Sequence, residues 1–317
     1  MAQYGFAFLS QQRFLGAASA ESHAGAPFGL AGVAWDGAVT NRPGARFGPA
    51  AIRQASAMLC DATHPVFDVA PTAQLADHGD LHLPNTSLPE MRAALELQAE
   101  ALMRSRHMLW LGGDHSITLS LLRAARKVHG RALAVLHFDA HCDTWSDHFG
   151  EPSGHGTWVY EAVREGLVVP QGVVQVGIRS AAVREAREYV NDIGGCIYTA
   201  RSLRGMESPQ QLAGVVSDIA QRLRASGAPV YLTLDIDCLD PAYAPGTGTP
   251  EPGGLSTNQV LSLLEDLCAQ SLPFVGMDCV EVAPAYDHAE LTANAAAVFV
   301  WTYLCARIAA GALGVAP

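Results

Sequence analysis

Short apolar runs alternate with longer amphipathic stretches along most of the chain, beginning near residue 30. The short runs predict strands that are buried on both faces, and the stretches with helical periodicity predict helices. The predicted strands cover 30–33, 74–80, 108–111, 132–138, 173–178, 196–198, 230–236 and 274–282. The predicted helices cover 49–59, 88–106, 117–129, 157–165, 182–191, 209–225, 257–268 and 292–310. This alternation predicts a single α/β domain over residues 1–317 with a mostly parallel sheet, and residues 1–27 as an N-terminal arm or cap.

Composition narrows the class of partner and the compartment. The formal net charge is −11, which argues against nucleic acid or an anionic membrane and favours a cationic small molecule. The seven cysteines are odd in number and form no C-x-x-C pair, so we expect reduced thiols. The N-terminus lacks the pattern of a secretory signal, and the apolar segment 295–306 is too short to span a bilayer. We therefore expect a cytoplasmic protein in which that segment is a core helix.

Candidate chemistry first appears directly after the apolar run 132–138. Asp139, His141 and Asp143 occupy alternate positions there, and alternate residues of an extended segment point to the same side. Two carboxylates and an imidazole would therefore converge where the strand ends, unless the segment is simply a solvated loop. Cys142 and Cys238 are out of phase with such acidic residues, so we expect them to face away and pack as apolar groups.

Similar polar residues follow two other predicted strands. Parallel sheets bind ligands at the carboxyl ends of their strands, because the connecting loops converge there. The resulting candidate metal ligands are His115, Asp139, His141, Asp143, Asp235 and Asp237. Four carboxylates and two imidazoles are too many for one tetrahedral zinc ion, and they match the charge of two divalent cations. Two cations that share a water molecule lower its pKa, so this set predicts metal-assisted hydrolysis.

Two further residues are candidates for contact with the substrate. Glu281 ends the predicted strand 274–282, and a carboxylate beside a neutral dimetal core would hold a cationic group of the substrate. It could equally form an ordinary salt bridge. His155 lies on the loop before the predicted helix 157–165, where it could shuttle protons or cap that helix.

Three motifs carry a family resemblance. The runs GGDHS (112–116), DAHCD (139–143) and DIDCLDP (235–241) resemble the signatures of the ureohydrolases, a family that includes arginase, agmatinase and guanidino-acid hydrolases. The resemblance covers nearly the whole chain. It implies an arginase-like three-layer sandwich, two Mn²⁺ ions per chain, hydrolysis of a guanidino group to urea and an amine, and assembly as a homo-oligomer, either a trimer or a hexamer.

The resemblance also implies a role for each candidate residue. One ion would be held by His115, Asp139, Asp143 and Asp235. The other would be held by Asp139, His141, Asp235 and Asp237, so that Asp139 and Asp235 bridge. Asp143 would also orient the hydroxide between the ions, Glu281 would bind the guanidinium group, and His155 would be the proton shuttle.

The substrate depends on residues around the motifs. Arginases carry an asparagine shortly after the second motif, where this chain has Trp145, and the loop 249–254 resembles agmatinase and guanidinobutyrase. We therefore expect agmatine or a guanidino acid such as 4-guanidinobutyrate. Trp145 and Trp158 would line the mouth of the site, where they could contact an alkyl tail or close around guanidine or a small alkylated guanidine, with Ni²⁺ in place of Mn²⁺. They could also be packing residues only.

Two other hypotheses remain. A deacylase on the same fold would use a single zinc ion, and the six-ligand set argues against it. A non-catalytic subunit of a hetero-oligomer would be expected to lack ligands or Glu281, and all of them are present.

Overall fold

Nine parallel strands form one sheet in the computed structural model, which describes residues 12–311. The strands lie in the order β1-β3-β2-β4-β9-β8-β5-β6-β7, and every pairing is parallel. Their bounds are Ala18–Ser19 (β1), Phe28–Val33 (β2), Leu75–Asp80 (β3), His107–Gly112 (β4), Leu133–Phe138 (β5), Val168–Ile178 (β6), Cys196–Thr199 (β7), Val230–Asp235 (β8) and Phe274–Val280 (β9). The predicted α/β class with a parallel sheet is confirmed.

Helices cover both faces of the sheet. The helices are Gly48–Ser56 (α1), Leu88–Met103 (α2), Ile117–His129 (α3), Trp158–Arg164 (α4), Arg184–Arg187 (α5), Tyr189–Asp192 (α6), Pro209–Ala225 (α7), Thr257–Ala269 (α8) and Leu291–Ala309 (α9). Helices α1, α7, α8 and α9 contribute to one apolar core, and α2, α3 and α4 contribute to a second core. The molecule therefore has three layers, and central strands such as β5 and β8 are buried along their whole length.

Local sequence explains where several helices begin and end. Ser208 caps α7 and Ser256 caps α8, each in a capping box with a glutamine three residues later. Helix α3 ends at Gly130, whose φ of +66° is a left-handed conformation that glycine adopts without strain. These signals agree with the predicted bounds of the helices.

Two elements differ from the prediction. The predicted helix 182–191 consists of the short helices α5 and α6, because Glu188 between them has φ −97° and ψ 0°. Strand β6 begins at Val168 instead of residue 173, and its first half contains Pro170 and Gly172. Both residue types normally interrupt strands, and here they accompany an irregularity in the pairing with β5.

The predicted N-terminal arm falls partly outside the described residues. Within them, β1 adds an edge strand beside β3, and the amide of Phe14 donates to Asp77 Oδ2 at 2.9 Å. Asp77 also forms a buried ion pair with Arg53, whose Nε lies 2.9 Å from Oδ2. Arg53 contacts Asp80 as well, so this network fastens α1 to the edge of the sheet.

Helix α9 is the predicted late core helix. It is long and apolar enough to cross a membrane by length and composition alone, but 72% of that apolar window is buried inside the fold. It packs against α1 and α8 and supplies a large part of one core. Its apolar surface is therefore accounted for by contacts within this chain.

Candidate active site

All the predicted site residues except His155 and the tryptophans lie at the carboxyl ends of four neighbouring strands, β4, β9, β8 and β5. His115 follows β4, and Glu281 follows β9. Asp235 is the last residue of β8, and Asp237 lies two residues later. The residues that follow β5 are Asp139, His141 and Asp143. Since these strands are adjacent and parallel, their ends open into one crevice. The arrangement explains why side chains far apart in sequence meet.

The imidazole of His115 is the centre of the first group of potential ligands. Its Nδ1 lies 3.1 Å from Asp139 Oδ2, 3.2 Å from Asp143 Oδ2 and 3.3 Å from Asp235 Oδ2. Neighbouring ligand atoms that sit about 2.1 Å from one divalent ion lie about 3 Å apart. The three distances from Nδ1 therefore match the spacing of neighbouring donors around a cation, and ligand atoms of His115, His137, Asp139 and Asp143 all lie within 4.8 Å of one another.

The other nitrogen of His115 is fixed by a buried chain of hydrogen bonds. The Thr233 hydroxyl donates to Asp278 Oδ1 at 2.5 Å, so its oxygen accepts a hydrogen bond from the N–H at His115 Nε2 at 2.8 Å. Nδ1 therefore points towards the three carboxylates. Burial lowers the pKa of His115, but hydrogen bonds to those carboxylates outweigh it and raise that pKa well above its usual value. The carboxylates therefore favour a positive charge at Nδ1, and a divalent ion bound there would take the place of the proton.

A second group lies beside the first and shares Asp139 with it. His141 Nδ1 is 3.3 Å from Asp139 Oδ1 and 3.1 Å from Asp237 Oδ2. Asp139 thus presents one oxygen to each group, whereas Asp235 presents Oδ2 to His115 and uses Oδ1 to accept the amide of Asp237. Burial raises the pKa of Asp235 well above its usual value, and the charges of Asp237 and Asp139 raise it further. The buried cluster therefore has an excess of negative charge, and its donors fit divalent cations.

The prediction that residues 139–143 are extended is wrong. The chain bends at Ala140 and His141, and Asp143 has a left-handed φ of +53°. Asp139 Oδ1 accepts the amide of His141 at 2.6 Å, which stabilises the bend. The three side chains meet because of this turn and not because of strand alternation, while Cys142 is buried in a separate apolar cluster, as predicted.

Glu281 carries a buried carboxylate oxygen without a partner. Its φ of +65° is left-handed, and its amide donates to the carbonyl of Gly113 at 2.9 Å. Oε1 accepts the amide of His115 at 2.9 Å and lies 3.1 Å from His155 Nδ1. Oε2 is buried and has no hydrogen-bond partner. The charge of this carboxylate is therefore only partly compensated by the groups that contact Oε1.

His155 connects Glu281 to the loop that contains Thr40. The amide of Thr40 donates to His155 Nε2 at 3.1 Å, so the neutral ring carries its proton on Nδ1, towards Glu281. Burial alone would lower the pKa of His155, but the Glu281 carboxylate outweighs it and raises that pKa to about 9. When the ring is protonated, Nε2–H donates a hydrogen bond to the Thr40 hydroxyl oxygen, which lies 2.8 Å from Nε2. The interpretation of His155 as a helix cap is wrong, because Thr157 is the N-cap residue of α4.

The two tryptophans have different positions. Trp158 is only 1% exposed and lies beneath the ligands, where its Nε1 donates to Asp143 Oδ2 at 2.7 Å. Its predicted place at the mouth is wrong, because the first turn of α4 directs the indole into the core. Trp145 does line the mouth, where its ring stacks on His148 with 4.9 Å between centroids.

A cavity of about 320 Å³ opens above the potential ligands. Besides the residues already described, its wall includes Asn41, Phe149, Ser180, Thr249 and Glu251. Glu251 brings an acidic group within 3.8 Å of His141 Nε2, and no lysine or arginine is among the lining residues of the described chain. The cavity therefore offers anionic groups at both the metal end and the mouth.

Both the sequence and the fold of this chain are similar to those of known proteins. The model of the arginase family matches residues 26–305. This chain belongs to the arginase family. An agmatinase of Chromobacterium violaceum is 43% identical over 289 residues, which cover 89% of this chain and 84% of that protein. The crystal structure of a hypothetical agmatinase from Burkholderia thailandensis has a TM-score of 0.79 at 37% identity and covers 93% of this chain and 87% of its own. Proclavaminate amidino hydrolase from Streptomyces clavuligerus has a TM-score of 0.84 at 33% identity, with coverage of 95% and 99%.

Membership of the arginase family confirms the resemblance inferred from the three motifs. It also identifies the chain as a metal-dependent ureohydrolase that acts on C–N bonds of guanidino compounds. The family depends on a dinuclear metal centre, and the His/Asp cluster of this chain forms two ligand groups that share Asp139.

Sequence reasoning missed several residues that arrange this arginase-family site. His137 contacts Asp139 Oδ2 at 2.7 Å, and Asp278 anchors the chain of hydrogen bonds to His115, yet both occur inside strands that are otherwise mostly apolar. Both could have been recognised as ionisable residues within apolar strands, because burying such a residue is costly unless it has a partner. Thr40 and Glu251 lie on loops whose sequence carries no such signal.

Arg179 connects the two sides of the crevice. Its guanidinium donates to the carbonyl oxygens of Gly177, Asp237, Cys238, Leu239 and Glu251. One side chain therefore fastens the turn that carries Asp237 to the loop that carries Glu251. We refer to these contacts as the Arg179 brace.

Proposed function

We propose that this chain hydrolyses agmatine, a guanidino compound that ends in a primary amine, to urea and a diamine. The observation that carries the proposal is the buried, unpartnered Oε2 of Glu281 beside a cluster of metal-ligating side chains. A guanidinium group would pair with this oxygen, and a neutral or anionic substrate would leave it uncompensated.

The donor set fits two Mn²⁺ ions, with Ni²⁺ as the second candidate, since carboxylates favour manganese and imidazoles also accept nickel. His115, Asp139, Asp143 and Asp235 would hold one ion. Asp139, His141, Asp235 and Asp237 would hold the other. When bound, two such ions activate a shared water molecule as the nucleophile.

The side chains around the ions would perform the remaining steps. Glu281 orients the guanidinium group, so that its carbon faces the ligand cluster. His155 holds a proton at neutral pH, because the pKa of its ring is raised to about 9. We propose that His155 gives this proton to the leaving amine nitrogen. Asp143 accepts a hydrogen bond from the attacking water and orients it.

The wall of the cavity favours an amine at the far end of the substrate. Glu251 is acidic, and the described lining residues include no lysine or arginine that could pair with a carboxylate. A terminal ammonium is therefore attracted to this wall, whereas the carboxylate of 4-guanidinobutyrate is repelled. The names of the relatives agree with an agmatine-type substrate. Trp145 and His148 provide an aromatic surface for the alkyl segment between the charged ends.

Urea release from a panel of substrates tests the proposal. The panel contains agmatine, 4-guanidinobutyrate, arginine, guanidine and methylguanidine, each assayed with Mn²⁺ and with Ni²⁺. We expect the highest kcat/KM for agmatine with Mn²⁺. No urea from any of these compounds would refute the proposed activity, and a preference for guanidine with Ni²⁺ would replace agmatine as the substrate.

Two variants and a metal analysis make the test specific. Glu251→Gln should lower kcat/KM for agmatine and should not lower it for 4-guanidinobutyrate, because only the ammonium loses an attractive charge. Asp237→Ala should lose metal and activity together. Elemental analysis should find two ions per chain, and a single zinc ion would indicate a deacylase instead. We also propose a cytoplasmic homo-oligomer, a trimer or a hexamer, which light scattering after size exclusion would test.

A further inference from the structure

The indole of Trp158 contacts the ligand cluster from below. Its Nε1 donates to Asp143 Oδ2 at 2.7 Å, and the same oxygen lies 3.2 Å from His115 Nδ1. The carboxylate oxygen that faces the first ion position is therefore also the oxygen that accepts the indole proton. That hydrogen bond occupies one lone pair of Oδ2 and leaves the other directed towards the cluster.

The ring of Trp158 also packs against two imidazoles. The centroid distances are 5.0 Å to His115 and 4.9 Å to His137. His137 in turn lies 2.7 Å from Asp139 Oδ2 through its Nε2. The same buried side chain thus donates a hydrogen bond to one potential ligand and lies beside two histidine rings at the same centre.

The backbone of Asp143 is also held by α4. Its φ of +53° is left-handed, a conformation that is uncommon outside glycine but that aspartate adopts more often than most residues. The amide of Val159, the residue after Trp158, donates to the carbonyl oxygen of Asp143 at 3.1 Å. The first turn of α4 therefore holds Asp143 through its side chain and through its backbone.

We propose that Trp158 is a positioning residue that fixes Asp143 for metal binding. This inference rests on the proposed dinuclear site, and it gives Trp158 a role in place of the predicted contact with substrate. Hydrogen-bond partners of metal ligands set ligand orientation, and their loss typically reduces metal affinity about 10- to 100-fold. The indole N–H, not the bulk of the ring, is the group that matters.

The variant Trp158→Phe tests this, because it keeps an aromatic ring and removes the N–H donor. We expect Mn²⁺ affinity, measured by competition with a fluorescent chelator on metal-depleted protein, to fall about 10- to 100-fold. The matched control is Trp301→Phe. Trp301 is also buried, and its Nε1 donates to the carbonyl of Ala62 at 2.9 Å within the α9 core. The control should lower the melting temperature and leave Mn²⁺ affinity unchanged.

A double-mutant cycle separates positioning from general damage to the fold. Adding Trp158→Phe to an Asp143→Ala protein should cause no further loss of affinity, because the indole would act only through that carboxylate. Unchanged affinity in the single variant, or additive losses in the cycle, would overturn the proposal.

If Trp158→Phe does not fold, NMR spectra of the wild-type protein can test the proposal instead. The chain has five tryptophans, so ¹⁵N-tryptophan labelling gives five indole signals. Mn²⁺ is paramagnetic, so Zn²⁺ would be used as a diamagnetic probe in the titration. The signal of Trp158 should move, that of Trp301 should not, and a stationary Trp158 signal would contradict the inference. These readouts need no substrate, so an absence of urea release would refute the proposed activity without deciding the role of Trp158.

Discussion

Replacing Glu281 by glutamine removes the negative charge of the buried carboxylate and leaves the size of the side chain nearly unchanged. The carbonyl oxygen of the glutamine can still accept the amide of His115, which Oε1 of Glu281 accepts at 2.9 Å. The loop between β4 and α3 should therefore keep its position, and the ligand cluster should bind the same number of ions. The NH₂ group of the glutamine then takes the position of Oε2, the oxygen proposed to pair with the guanidinium group.

The size of the effect follows from burial. Oε2 has no partner within the described protein, and the whole residue is only 1% exposed, so a guanidinium would pair with it away from water. Removing one partner of a buried charged pair costs about 2–5 kcal/mol. At about 1.4 kcal/mol for each factor of ten, kcat/KM for agmatine should fall roughly 30- to 4,000-fold.

The assay is urea release at saturating Mn²⁺, with metal content measured on the same samples. Glu265→Gln on α8 is the control, because it changes the net charge equally at a residue that belongs to neither group of potential ligands. If Glu281→Gln kept kcat/KM within threefold of the wild type while both ions remained bound, the assignment of Glu281 to the guanidinium group would be refuted.

Two further predictions concern stability. The pKa of His155 is raised to about 9 in the folded protein, above its usual value near 6.5. Protonated His155 therefore stabilises the folded state. This stabilisation is complete below about pH 6.5 and is lost as the pH rises towards 9. The free energy of unfolding of metal-free protein is measured by thermal unfolding for the wild type and for His155→Asn. The difference between the two should shrink by at most about 3 kcal/mol between pH 6.5 and pH 9. A difference that stays constant over this range would show that the charge of His155 does not stabilise the fold. Arg53→Met should reduce the free energy of unfolding by about 3–5 kcal/mol, because it leaves Asp77 charged and buried without its partner. Asp80→Asn is its control and should have a much smaller effect, because the Asp80 side chain is 42% exposed.

Much of the fold could be predicted because local and global signals agree. The predicted bounds of α3 and α7 match the structure, since each helix has strong terminal signals such as Gly130 and Ser208. The central strands were recognisable because burial on both faces requires apolar residues at every position. The first half of β6 was missed because Pro170 and Gly172 resemble a turn, and only the neighbouring strand β5 makes an extended conformation favourable there.

The convergence of the potential ligands could also be predicted, since parallel strands deliver their carboxyl ends to one edge. The position of Trp158 could not, because a residue at a helix start can face solvent, a cavity or the core. Its direction depends on how α4 packs against α3 and β6, which no local pattern of the sequence records. The same limit applies to Asp143, whose left-handed backbone replaces the predicted extended one.

The Arg179 brace has a consequence for how this protein can diverge. Within the described residues, the hydrogen bonds of Arg179 go to carbonyl oxygens, which every amino acid carries, so these bonds constrain the path of the loops more than the choice of their side chains. Gly254 is an exception, because a Cβ there would lie 2.6 Å from Nη2 of Arg179. A residue such as Glu251 can therefore be exchanged while the turn that holds Asp237 keeps its place. A descendant of this chain could acquire a different substrate by point substitution at the mouth, without having to rebuild the metal centre.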